Sequence, residues 1–258
     1  MHVENKPLLA SIPKRRRLPD QISGVPVDVV VNVFRSAACP ANGAKYRIRR
    51  DSLFGGIAIG PCDTADMGTL GIVVVDGDQA EHVLTCAHVV NDQLGLDIVQ
   101  PHGVNAANLI GKVIDRAWNS NMDAAVVRLS GARVAGAGVL GIGAVDGVPF
   151  DVPQHWKAIP VTFAGACSGR RTGVMMSASF SGEVQTPSGT MTVVDHLVIE
   201  SKDSDPLPMG RQGDSGALVI YQGQAIGLVS AVSDDPSGTV LAARVVPILK
   251  KFAMRIAT

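Results

Sequence analysis

Ser215 lies in Gly213-Asp214-Ser215-Gly216, directly ahead of the apolar run Ala217 to Tyr221. A serine hydroxyl is a weak nucleophile until a neighbouring base takes its proton, so the segment gains chemical meaning only if a histidine can reach it. His88 qualifies best. It closes the run Val83-Leu84-Thr85-Cys86-Ala87-His88, which would carry an imidazole to the rim of a barrel. An imidazole working as a base needs a buried carboxylate to orient it and to stabilise its protonated form. Asp123, heading Ala124-Ala125-Val126-Val127, can supply one. The expected catalytic set is therefore His88, Asp123 and Ser215, in that chain order. An α/β-hydrolase elbow is excluded, since it needs glycine two residues after the serine and this chain has Ala217; its triad order would also be Ser, Asp, His. Gly-Asp-Ser lipases place serine early and histidine late, the reverse of what is found.

The other reactive side chains read as structural. Cys86 is expected to be a small core residue, because nothing supplies it with a separate base. His2, His82, His102, His155 and His196 have no metal-ligand spacing, and Cys39, Cys62, Cys86 and Cys167 have no metal-type close pairing. No metal or cofactor is expected, and the four cysteines read as reduced thiols.

The elements that must position these groups are strands. Val27, Val29, Val31 and Val33 alternate with Asp28, Val30, Asn32 and Phe34, which fits one buried and one less buried face, and short apolar runs recur between turn signals such as Asp76-Gly77-Asp78, Pro187-Ser188-Gly189 and Asp235-Pro236-Ser237-Gly238. Glycine contributes 28 and proline 15 of the 258 residues, a turn-rich supply suited to many short strands. Pro247 can open a terminal helix in which Ile248, Phe252, Arg255 and Ile256 fall near one face. The glycine-rich stretch Gly131 to Gly147 reads as the connection between two halves.

With 46 % hydrophobic and 18 % charged residues the chain can fill a core. Its 23 basic and 23 acidic side chains cancel, so no nucleic-acid partner is expected. The longest membrane candidate, Val134 to Val145, is broken by glycines and stops at Asp146, which argues against a membrane span. Met1 to Asp20 has Lys14, Arg15, Arg16 and Arg17 but no apolar segment after them, so it does not read as a secretory signal. A cytoplasmic setting is the expectation, or a secreted one if a leader has been removed.

Thr85-Cys86-Ala87-His88, Asp123-Ala124-Ala125-Val126 and Gly213-Asp214-Ser215-Gly216-Ala217 together resemble the three signature segments of the trypsin-like (chymotrypsin-fold) serine peptidases. Gly169-Arg170-Arg171-Thr172-Gly173, Gly56-Ile57-Ala58-Ile59-Gly60 and Gly68-Thr69-Leu70-Gly71 are similar to bacterial members. The resemblance spans about Gly56 to Val246. It implies an all-β fold of two six-stranded antiparallel β-barrels with the active site between them, to which the sequence adds the C-terminal α-helix. The expected layout is a flexible basic tail over 1–20 and a peptidase domain over 21–258. Within that domain barrel 1 covers about 27–130, a connection about 131–150, barrel 2 about 151–246 and the helix about 247–257.

Carried over residue by residue, the resemblance makes His88 general base and acid, Asp123 its orienting partner and Ser215 the nucleophile, with the N–H groups of Gly213 and Ser215 as oxyanion hole. It puts Ser230 beside the buried aspartate, Met209 at the base of the primary specificity pocket, and Val232 and Val240 on its walls. No carboxylate stands at 209, so cleavage after a small or aliphatic residue is expected; Asp203 and Asp205 lie nearby in sequence. Secreted relatives pair the aspartate before the nucleophile with a freed N-terminus. No matching activation sequence follows Lys45 to Arg50, so Asp214 is expected to be satisfied by a side-chain cation or by hydrogen bonds. The implied activity is that of a serine endopeptidase acting on a protein or peptide; the competing reading is a catalytically silent binding or regulatory module. The sequence does not specify an oligomeric state.

Overall fold

The computed structural model of the chain describes residues 41–186, 189–202, 207–233 and 235–258, together with four two-residue strands, β1 (His2–Val3), β2 (Gln21–Ile22), β3 (Val25–Pro26) and β4 (Val30–Val31). The alternation expected over Val27 to Val33 and the tail expected over 1–20 lie otherwise outside the described residues. The remaining strands are β5 (Ser52–Gly55), β6 (Ala58–Pro61), β7 (Gly68–Thr69), β8 (Ile72–Val75), β9 (Glu81–Thr85), β10 (Asp97–Val99), β11 (Leu109–Asn119), β12 (Met122–Leu129), β13 (Val134–Val139), β14 (Ile159–Gly165), β15 (Gly169–Thr186), β16 (Gly189–Ser201), β17 (Leu218–Tyr221), β18 (Gln224–Val232), β19 (Val240–Arg244) and β20 (Arg255–Ile256). One α-helix, α1 (Val245–Phe252), sits between the last two.

The two halves close differently. In the second half the strands β14-β15-β16-β19-β18-β17 form a closed barrel, the last pair joined through Thr162 opposite Ile220. The first half is an eight-stranded sheet in the order β20-β8-β9-β12-β11-β10-β6-β7. Its six longer strands correspond to the expected barrel, and the two-residue strands β7 and β20 stand at its ends. Inside the second barrel, Phe163, Met175, Leu197, Ile199 and Val219 form one core. The larger core of the first half, built on Ile72, Leu84, Val126 and Val127, continues into Leu218, Leu228 and Ala243 and so joins the two halves.

β8 is wholly β-branched and apolar, and β9, after the exposed Glu81, buries His82, Val83, Leu84 and Thr85. Asp76 closes the hairpin between them, its Oδ1 accepting from the N–H of Asp78 and of Ala80 at 2.9 Å each. That hairpin delivers the chain to His88.

Two regions depart from the sequence expectation. The connection over 131–150 contains a strand, β13, which pairs in parallel with β5. Glycine hides it from a periodicity reading: a Cβ on Gly136 would lie 2.3 Å from the Phe54 ring, so a strand residue with no side chain is needed there. The helix starts at Val245 and stops at Phe252, so Pro247 is its third residue; first-turn N–H groups have no intrahelical acceptor, and proline costs little there. Val245, Ile248, Leu249 and Phe252 are buried in the first-half core. Ala253, at φ 53°, turns the chain out of the helix, and Arg255 and Ile256, expected on the helix, instead pair with Val75 and Val74. The C-terminus thereby straps the second half to the first.

Candidate active site

Register brings His88 and Asp123 together. Thr85, at the end of β9, pairs with Ala125 on β12, so Asp123, two residues earlier on β12, lies beside the chain just past Thr85. Both carboxylate oxygens are then used on one residue. Oδ1 accepts the His88 backbone N–H at 3.1 Å, and Oδ2 is hydrogen-bonded to His88 Nδ1. The Asp123 side chain is 5 % exposed and that of His88 34 %, so the carboxylate is shielded while the imidazole edge reaches solvent. Burial pulls the imidazole pKa down, but the charge of Asp123 and its hydrogen bond outweigh that, holding His88 above the ordinary histidine value.

Ser215 stands half-buried in a loop fixed by main-chain geometry. Gly213 has φ 93°, in the region that side chains resist, and a Cβ there would lie 2.4 Å from Met67 Cε. Asp214 is fully buried. Its Oδ1 accepts from the N–H of Cys167 and of Ser168 at 2.9 Å each, and its Oδ2 from the N–H of Arg211 at 2.8 Å. Burial raises the Asp214 pKa above the usual carboxylate range, and these donors only partly offset it. Of the two means expected to satisfy this carboxylate, hydrogen bonds are the ones found.

The loop is tied to the His88 side at several points. The Ser215 carbonyl accepts from the Thr69 N–H at 2.8 Å, and the Gly213 carbonyl accepts from Thr69 Oγ1 at 2.7 Å. The Gly216 N–H donates to the Val229 carbonyl at 2.8 Å, and Cys86 Sγ donates to that same oxygen at 3.0 Å. Cys86 thus links the residue after Ser215 to the strand end carrying His88. Among the described residues neither the Gly213 nor the Ser215 N–H has a hydrogen-bond acceptor. Two unengaged donors on a rigid turn can meet a developing negative charge.

Cys86 is fully buried, and burial, reinforced by the Asp123 charge, pushes its pKa well up. It stays a thiol and a poor nucleophile, in keeping with the core role read from sequence. Cys86, His88 and Asp123 offer ligand atoms within 4.8 Å of one another, but the imidazole and carboxylate are already bonded to each other. Cys62 and Cys86 are free, whereas Cys167 is disulfide-bonded, which corrects the expectation of reduced thiols at that position. Cys39 lies outside the described residues.

The residues assigned to substrate binding are less exposed than the reading of them implied. Met209 is wholly buried in the second barrel, where a Cβ on Gly173 would come within 2.5 Å of its Sδ. Val232 and Val240 are buried as well and close around Gly210, whose absent Cβ would lie 3.2 Å and 2.6 Å from their Cγ2 atoms. Ser230 Oγ donates to the Leu241 carbonyl at 3.3 Å, within its own sheet. Asp203 and Asp205 are outside the described residues. Sequence reasoning missed Thr69 altogether, although Gly68-Thr69-Leu70-Gly71 had stood out as a segment.

No known family model matches the sequence, and no curated protein matches it. Solved structures do match. The Nocardiopsis protease NAPase superposes with a TM-score of 0.62 at 22 % identity, covering 80 % of this chain and 100 % of its own. Thermobifida fusca protease A gives 0.61 at 20 % identity, with 80 % and 99 % covered. Cellulomonas bogoriensis chymotrypsin gives 0.59 at 22 %, again with 80 % and 99 % covered. The chain therefore has the chymotrypsin-like two-barrel fold of bacterial serine proteases. Among the described residues no helix is long and apolar enough to cross a membrane.

Proposed function

We propose that the chain is a serine endopeptidase that hydrolyses peptide bonds through an acyl-enzyme. In this reading His88 Nε2 takes the Ser215 hydroxyl proton as Oγ bonds to the scissile carbonyl carbon, and the carbonyl electrons move onto oxygen. The N–H groups of Gly213 and Ser215 meet that oxyanion. Asp123 steadies the imidazolium, which then gives its proton to the departing amine as the C–N bond breaks. Water, deprotonated by the same imidazole, cleaves the ester and regenerates the serine.

One observation carries the reading. A histidine has both oxygens of a buried carboxylate committed to it, and the Ser215 loop, tied through Thr69 and Thr85 to the strand end that leads to that histidine, has two unspent N–H groups, at Gly213 and Ser215. Such a donor is worth about 3 kcal/mol of transition-state stabilisation.

The substrate is a protein or peptide, cleaved after a small or aliphatic residue. The closure of the apolar Val232 and Val240 around Gly210 and the burial of Met209 support that choice. The enzyme needs no cleavage near Arg47 to Arg50 to become active, because backbone donors already satisfy Asp214. The Cys167 disulfide favours work in an oxidising compartment over the cytoplasmic one expected from the sequence.

A peptide library incubated with the uncleaved protein and with Ser215→Ala tests this. Turnover after small or aliphatic residues, absent in the variant, is the expected result. A profile dominated by Arg or Lys overturns the pocket assignment. A folded protein that cleaves nothing favours the silent binding module.

A further inference from the structure

We infer that Thr69 is a positioning residue for the nucleophile loop, through which the first half of the molecule holds the Gly213 to Ser215 backbone in register for oxyanion binding; this rests on the peptidase reading above. Thr69 is fully buried, and its polar groups all face the site. Its N–H donates to the Ser215 carbonyl at 2.8 Å. Its hydroxyl donates to the Gly213 carbonyl at 2.7 Å and accepts the Ala166 N–H at 2.9 Å. Its own carbonyl accepts from Thr85 Oγ1 at 2.8 Å, three residues before His88.

The arrangement does two things. It pins the Gly213 and Ser215 carbonyls, and so the 213–214 and 215–216 peptide planes, which adjoin the two planes that carry the Gly213 and Ser215 N–H groups. It also braces Ala166, whose neighbours Cys167 and Ser168 supply two of the N–H groups that hold the Asp214 carboxylate. The loop approaches Thr69 closely enough that a Cβ on Gly216 would lie 2.3 Å from the Thr69 carbonyl oxygen, so the contact has no slack. A hydroxyl is required in this place, because a single atom must donate to one backbone and accept from another.

Thr69→Val keeps the volume and the N–H but removes the hydroxyl. The expected result is a kcat lowered about 10- to 100-fold on a peptide substrate, with KM changed less than about threefold, because misplacement of catalytic donors acts on the transition state. Thr69→Ser, which restores the hydroxyl, should bring kcat back to within about threefold of the parent. A normal kcat in Thr69→Val, a loss confined to KM, or a serine variant as poor as the valine one overturns the inference. Should Thr69→Val not fold, Thr85→Val is read instead: kcat falls a few-fold at constant KM, and a parental kcat overturns the inference.

Amide hydrogen exchange over 165–169 and 211–216, measured without substrate, separates this claim from the peptidase reading. Exchange faster in Thr69→Val and restored in Thr69→Ser supports the role, and unchanged exchange overturns it even in a protein that proves inactive. A parent enzyme that cleaves nothing counts against the peptidase reading, with the exchange result still deciding on Thr69.

Discussion

The two sides of the site are held by different physics. His88 is oriented by one charged side chain, Asp123, through a side-chain bond and a backbone bond. Ser215 is held by the fold of its loop: a glycine at φ 93°, a buried carboxylate capped by three backbone N–H groups, and the Thr69 hydroxyl on the Gly213 carbonyl. The histidine side is thus a matter of electrostatics, and the serine side a matter of shape. The first should respond to charge and pH and tolerate small changes of form, whereas the second should respond to any added atom.

Asp123→Asn tests the charged side most severely. The amide preserves shape but cannot stabilise an imidazolium, so kcat should fall by about 10⁴-fold with the fold retained. A loss under tenfold in steady-state kinetics would remove Asp123 from the account. Gly213→Ala tests the shaped side. The new methyl must enter a positive-φ conformation and displace Met67, so the oxyanion donor shifts and kcat should fall by about 10²- to 10³-fold. If this variant is as active as its parent, the loop is more pliable than its contacts imply.

Asp214→Asn sharpens the contrast. Its oxygen can still accept from Cys167 and Ser168, but its amide would meet the Arg211 N–H donor to donor. Denaturant unfolding should show a loss of about 1 to 3 kcal/mol. Full stability would mean that the carboxylate is not the centre of the loop.

The smallest effect is in pH. The base must be neutral, so kcat/KM should fall as pH drops through a midpoint above the ordinary histidine value, because Asp123 outweighs burial. In Asp123→Asn burial acts alone and the midpoint should move to lower pH. The same pair bears on stability with a definite sign. Its contribution is fully present below the unfolded histidine pKa and fades as pH rises through the higher folded value. An acid limb at or below the ordinary value, measured with a neutral substrate, would contradict that ordering.

What could be read from sequence divides along similar lines. His88, Asp123 and Ser215 each sit in a short contiguous segment whose residue types are informative, and the strands around them announce themselves by alternation. Thr69 could not be read, because its hydroxyl meets a carbonyl 144 positions away and a threonine in a strand carries no mark of that. The donors on Asp214 are backbone groups, which have no sequence signature. The strand β13 was hidden where Gly136 yields its space to Phe54. Counting back from Ser215 proposes Met209 for a pocket, and the family resemblance proposes Val232 and Val240, but neither gives the depth to which the barrel buries them. Cys167 was misread because disulfide pairing is a matter of distance in space.

The most direct test of the central claim is the mass spectrum of the intact, folded protein after exposure to a fluorophosphonate, followed by mapping of the modified residue. The account predicts one adduct, on Ser215, formed rapidly in the parent and lost in His88→Ala. A folded protein that takes up no adduct, or takes it up elsewhere, would contradict it.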